Sequence, residues 1–222
     1  MNYKLSPSNL TFQYAGCKRC FYLKMVKGIT QLSMPLPSTF SKIAGLLKNH
    51  YAGKPTSELH VNLSPGIVSH DEKLVRSRVI QLPNHKSTCY INGRFDIAIS
   101  FDDDTYRVID FKSSKPTGES AWMYSCQLHT YAYTLEHPAD GTLSLSPVTT
   151  LGLVYFYPDD ISQDNIARLN YDAEIVWVEI EKDEEGFLNF IDGVLDVLKL
   201  PKAPKHSPSC QWCGYIARLN ST

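Results

Sequence analysis

Three short segments hold residue types from which a hydrolytic centre can be built. Asp110 and Lys112, in Val108-Ile109-Asp110-Phe111-Lys112, are two residues apart, so on a strand they project to one face. Asp96, in Gly93-Arg94-Phe95-Asp96, lies 14 residues upstream, and a hairpin could set it beside Asp110. Two carboxylates at a strand end form a hard, oxygen-rich site suited to Mg²⁺ or Mn²⁺. A neighbouring ammonium can orient a water and stabilise charge on a phosphoryl oxygen. The bland alternative is a surface hairpin with an ordinary ion pair. The apolar neighbours Val108, Ile109 and Phe111 argue for burial, where an unpaired charge is costly. Gln127 and Tyr131 stand at i and i+4, on one face of a helix, and can supply an amide and a hydroxyl.

A second constellation is made of sulfur. Cys17-Lys18-Arg19-Cys20 and Cys210-Gln211-Trp212-Cys213 are C-x-x-C pairs at opposite ends of the chain. Each pair can bite one metal with two thiolates, and the two together make a tetrahedral S₄ site. The site would be a clasp joining the two ends. Cys89 and Cys126 lie in apolar contexts and read as buried structural thiols.

These residues need elements to position them. Ser8 to Val26 reads as an apolar and basic helix, with Ser8 at its N-cap. Gln31 to Pro37 is a Pro-broken connection, Thr39 to Tyr51 a helix, and Asn49 to Pro55 a loop. Leu74 to Leu82 alternates roughly as a strand. Thr88 to Ser100 is a strand with Gly93 inside it, and with Tyr106 to Phe111 it forms a hairpin around the turn Phe101-Asp102-Asp103-Asp104. Glu119 to Glu136 has helical length, carrying Gln127 and Tyr131. Gly152 to Tyr157 and Glu174 to Ile180 are strands, Glu184 to Leu200 is an amphipathic helix, and Pro201 to Pro208 is a strap leading to the last cysteines. Strands, a helix and further strands imply an α/β fold: a sheet with helices packed on its faces.

Composition narrows the class. The 222 residues are 43% hydrophobic and 20% charged, which excludes disorder, collagen and coiled coil. The start Met1-Asn2-Tyr3-Lys4 lacks the apolar core of a signal peptide, and no run is long enough to span a bilayer, so a cytoplasmic, non-membrane protein is expected. Net charge is −1, but its distribution is uneven. Eight Lys or Arg and no acid lie in 1–57, four and no acid in 197–222, and all 23 acids lie between. Two basic ends can offer a polyanion a positive surface, though basic ends also aid solubility.

In this order and spacing, Gly93/Asp96, Asp110/Lys112 and Gln127/Tyr131 resemble the motifs of the PD-(D/E)XK nuclease superfamily, specifically its RecB-like branch. The resemblance implies a restriction-endonuclease-like core with a central mixed β-sheet flanked by helices. It implies metal-dependent DNA cleavage, with Asp96, Asp110 and the backbone carbonyl of Phe111 as ligands of Mg²⁺ or Mn²⁺. Lys112 would orient the attacking water, and Gln127 and Tyr131 would support the site. Many members of the branch carry an upstream helical His ligand. His50 is the nearest candidate here, with His60 and Glu58 behind it. CRISPR-associated and AddB-type relatives close a similar clasp around an iron–sulfur cluster with one Cys before the core and three after it. This chain supplies two and two, which leaves a 4Fe–4S cluster and Zn²⁺ both open for Cys17, Cys20, Cys210 and Cys213.

The expected organisation is a basic arm with the first Cys pair (1–30), a nuclease core (31–200) and a strap with the second pair (201–222). The leading expectation is a nuclease acting on single-stranded DNA or DNA ends without strong sequence preference, since no segment looks like a groove-reading module. The runner-up is a weak or inactive nuclease fold that binds nucleic acid among protein partners in a larger complex. A third reading, a thiol-based redox or metal-storage protein, rests on the cysteines alone.

Overall fold

A computed structural model describes residues 1–32 and 37–219. The middle of the Gln31–Pro37 connection lies outside the described residues. The strands are β1 (Asn2–Leu5), β2 (Ile67–Asp71), β3 (Leu74–Arg76), β4 (Thr88–Arg94), β5 (Ile97–Ser100), β6 (Tyr106–Lys112), β7 (Val148–Asn165) and β8 (Arg168–Ile180). The helices are α1 (Lys18–Lys27), α2 (Ser38–Tyr51), the single turn α3 (Thr56–Leu59), α4 (Gly118–Glu136), α5 (Glu184–Leu198) and α6 (Gln211–Leu219).

The expected mixed sheet flanked by helices is present. Five strands run in the order β2-β5-β6-β7-β8, and three more in the order β1-β4-β3. β5 and β6 form the antiparallel hairpin, while β6 and β7 are parallel. A parallel pair needs a crossover, and α4 supplies it. α4 starts at Thr117, whose hydroxyl accepts from the Ser120 amide while Ser120 Oγ accepts from the Thr117 amide, so both free donors are satisfied.

Alternation along β6 decides what faces where. Val108 turns toward α4 and packs with Leu128, Ala132 and Leu135, whereas Ile109 and Phe111 turn to the other face, under Tyr51 and Leu59. Asp110 and Lys112 share the parity of Val108 and therefore face α4. A third cluster joins Leu5, Leu10 and Phe21 near the N-terminus to Ile191, Val194 and Leu195 of α5.

Several elements differ from expectation. The N-terminal segment is a π-helical turn (Asn9–Tyr14) followed by α1, and Ser8 makes no capping hydrogen bond. The break at Ala15-Gly16-Cys17 puts Cys17 at the start of α1. Thr88–Ser100 is two strands: β4 ends at Arg94, Phe95 and Asp96 leave the ladder, and β5 joins the other sheet. Only 74–76 of the Leu74–Leu82 segment is a strand, supplemented by isolated bridges at Ser77 and Ile80. β7 and β8 extend well past the expected strands as an exposed two-stranded ribbon, the pairing shifting register near Pro158. Among the described residues, no helix is long and apolar enough to cross a membrane.

Candidate active site

The end of β6 gathers five of the expected residues. Asp110 is 3% exposed. Lys112 closes on its Oδ2 in a direct ion pair. The Lys112 ammonium also donates to Gln127 Oε1 at 3.0 Å, and the Gln127 amide nitrogen donates to Asp110 Oδ1 at 3.2 Å and to Tyr131 Oη at 3.0 Å. The i, i+4 spacing on α4 thus works as the sequence implies, with Gln127 as the hub. Tyr124, one turn before Leu128, places its ring 3.9 Å from the Lys112 ammonium, a cation–π contact.

Asp96 reaches the same place from the break between β4 and β5. Its Oδ2 accepts from the Phe111 amide at 2.9 Å, which pins the carboxylate against β6. Gly93 lies where a Cβ would sit 2.8 Å from the Pro7 ring and 3.4 Å from Tyr131, so close packing at this position excludes a side chain. Phe95 is fully buried beneath, anchoring the segment that presents Asp96.

The electrostatics are those of crowded acids. Burial, then the charge of Asp96, pushes the Asp110 carboxyl up to about 7 against the pull of Lys112. Burial and then Asp110 also raise the pKa of Tyr124, and the same two causes lead the rise at Tyr131, so both phenols stay protonated.

Lys48 and Glu72 were not expected. Lys48 is 8% exposed, and its ammonium lies 2.7 Å from Asp96 Oδ1 and 3.5 Å from Glu72 Oε1. Burial works against that charge, but Asp96 and then Glu72 prevail and hold the Lys48 pKa above the ordinary lysine value. Its placement follows from α2: Tyr51, three residues on and on the same face, stacks on Phe111 with ring centroids 6.0 Å apart. Lys48 borders the stripe Ile43, Leu47 and Tyr51, which the structure packs against Phe111. Glu72 sits in the β2–β3 turn at φ +36°, its amide bound to the Asp96 carbonyl at 2.9 Å. Such a turn residue gives no warning in the sequence.

His50 is not brought to the carboxylates. It is exposed at the end of α2, its Nε2 is 3.3 Å from Lys54 Nζ, and its ring lies edge-on to Tyr51. Two residues along a helix is about 200°, so Lys48 facing the site turns His50 away. His60 accepts a hydrogen bond from the Asn62 amide, and Glu58 pairs with Lys54. Neither runner-up is at the centre.

The four terminal cysteines do meet. Their sulfurs all lie within 4.8 Å of one another, with Cys20 Sγ 3.7 Å from Cys210 and 3.4 Å from Cys213. Each pair straddles a helix start: Cys17 precedes α1 and Cys20 lies in its first turn, as Cys210 and Cys213 do for α6. Burial raises the thiol of Cys213 to about 11 and that of Cys20 higher still, with the neighbouring thiols adding to Cys20's rise. Cys17 goes the other way: burial is outweighed by hydrogen bonds from the backbone of Ser207 and Cys20, and its thiol falls to about 7. Cys89 is fully buried and its thiol is raised to about 12, as a structural cysteine requires; Cys126 is half-buried.

The sequence profile of the PD-(D/E)XK nuclease superfamily matches residues 49–218. No curated protein matches the chain. Among solved structures the chain is similar to the crystal structure of SSO0001, at 17% identity and a TM-score of 0.49, over 96% of this chain and 84% of that one.

Proposed function

The chain belongs to the PD-(D/E)XK nuclease superfamily, and from that premise we propose that it is a metal-dependent DNA nuclease of the RecB-like branch. The observation that carries the reading is the convergence of Asp96, Asp110 and Lys112 on one strand end, with Gln127 tying Asp110 to Lys112 and the Phe111 amide holding Asp96. Single strands or DNA ends are the substrate we favour, bound by the basic terminal segments without base readout.

The donor set suits a hard divalent cation. Glu72, Asp96 and Asp110 bring three carboxylates against the ammoniums of Lys48 and Lys112, and burial, then the charge of Asp96, raises the pKa of Asp110, both of which a cation would offset. In this reading Asp96, Asp110 and the Phe111 carbonyl hold Mg²⁺ or Mn²⁺. When bound, the ion polarises the phosphoryl group and lowers the pKa of a water nucleophile. Lys112 orients that water and supplies positive charge to the phosphoryl oxygen. Gln127 fixes the Lys112 ammonium through Oε1, and Tyr131 holds the Gln127 amide in the orientation that also binds Asp110. His50 has no role in this set.

For the clasp we favour one tetrahedral ion, Zn²⁺ above all, over a 4Fe–4S cluster. Thiolates at about 2.3 Å from one zinc stand roughly 3.8 Å apart, and the Cys20 contacts of 3.4 and 3.7 Å are close to that edge. A cluster places a cube of iron and sulfide between the thiolates and spreads them further. In this reading the clasp ties the start of α1 to the start of α6, and so the N-terminal segment to the C-terminal strap.

The test is cleavage of end-labelled single- and double-stranded DNA with Mg²⁺, Mn²⁺ or EDTA. Ion-dependent loss of single strands, or shortening from ends, is expected. One observation favours the runner-up, a nucleic-acid-binding subunit without activity: all four oxygens of Asp96 and Asp110 already have protein partners. DNA binding with no ion-stimulated cleavage of any substrate would select it.

A further inference from the structure

We propose that Lys48 holds the place of a second cation, so that the carboxylate centre takes up a single divalent ion. The inference rests on the reading of Asp96 and Asp110 as ion ligands.

The ammonium of Lys48 is bracketed by two carboxylates from different segments, Asp96 Oδ1 at 2.7 Å and Glu72 Oε1 at 3.5 Å. Burying a lysine is costly unless its charge is matched, and here the side chain is 10% exposed. The pair Glu72–Asp96 is an oxygen site of the kind that binds a hard cation. It adjoins the pair Asp96–Asp110, because Asp96 is common to both. Two-ion phosphodiesterase centres are built in this way, with one carboxylate shared between ions about 4 Å apart. In this chain the outer position is filled by a tethered ammonium delivered from α2, and Tyr51 stacked on Phe111 fixes that delivery. Arg94, 3.8 Å from Glu72 Oε1, holds the outer acid from the solvent side. Removing Lys48 leaves Lys112 on Asp110 and Arg94 on Glu72, and strips Asp96 Oδ1 of its cation, so the Glu72–Asp96 pair gains one net negative charge that a second ion can meet.

Counting Mn²⁺ on the substrate-free full chain tests this. The electron paramagnetic resonance signal of free Mn²⁺ reports uptake, and an Asp96→Asn/Asp110→Asn variant gives the background from every other site, the cysteine clasp included. Wild type should take up one Mn²⁺ above that background and Lys48→Met two. The second should vanish in Lys48→Met/Glu72→Gln, and Lys48→Arg should keep one. Lys48→Gln runs in parallel in case the apolar variant fails to fold. Two ions on wild type, or one on both neutral variants, overturns the role given to Lys48 and leaves the nuclease reading intact. No uptake by any of the proteins overturns both. A purely structural lysine would change the unfolding midpoint and leave the ion count unmoved.

Discussion

Replacing Gln127 by glutamate isolates what holds the centre together. The substitution changes one NH₂ to an oxygen and leaves the shape intact. The acceptor for Lys112 at 3.0 Å is kept, and the Tyr131 hydroxyl 3.0 Å away can turn to donate, but the donation to Asp110 at 3.2 Å is lost. In its place a carboxylate faces Asp110, whose charged form burial and then Asp96 already disfavour. A lost hydrogen bond to a charged group is worth about 1.5–3 kcal/mol, and the facing acids add repulsion that Lys112 offsets only in part. We expect a net loss of about 3 kcal/mol, or a fall in the thermal midpoint of roughly 6–12 °C for a chain of this size. Gln127→Met, which removes the hydrogen bonds without adding charge, should cost about half as much. Urea unfolding followed by circular dichroism measures both. A glutamate variant within about 0.5 kcal/mol of wild type, or one more stable than the methionine variant, would refute the network as drawn.

Other outcomes follow from separate parts of the molecule. Gly152 of β7 lies under the Trp177 ring, where an added Cβ would come within 1.7 Å of it, so Gly152→Ala should destabilise by about 1–3 kcal/mol. Adding Trp177→Leu should recover part of that loss, and a double-mutant cycle showing no coupling would disprove the contact. Cys20→Ser should release the clasp ion and lower the thermal midpoint by at least about 5 °C, and metal analysis of the purified protein should find about one zinc per chain. Iron with acid-labile sulfide in place of zinc would overturn the single-ion clasp.

How far the sequence could be read depended on whether a feature was local. Asp110 and Lys112 face one side because strand side chains alternate, and Gln127 and Tyr131 share a face because helices turn every 3.6 residues. Both rules act within one element, and both led to contacts in the structure. The split of Thr88–Ser100 escaped because Ile91, Phe95 and Ile97 continue an apolar pattern straight through the break, and only tertiary pairing assigns β4 and β5 to different sheets. The ribbon beyond Tyr157 escaped for the opposite reason: Pro158-Asp159-Asp160 looks like a turn, yet the strand absorbs the proline at a register shift. Lys48 looks like any solvated helical lysine until the stripe beside it is seen to pack on β6. The meeting of cysteines nearly two hundred residues apart was legible because two C-x-x-C turns have few other uses together.

If Asp110 holds the ion and Lys112 orients the water, both are needed for phosphodiester cleavage. Wild type, Asp110→Asn and Lys112→Ala are compared for release of labelled nucleotides from single-stranded DNA in Mn²⁺, with circular dichroism confirming that each protein is folded. Wild type should cleave, and both variants should lose at least about a hundredfold. Folded variants that cut as fast as wild type would show that neither residue takes part in the hydrolysis.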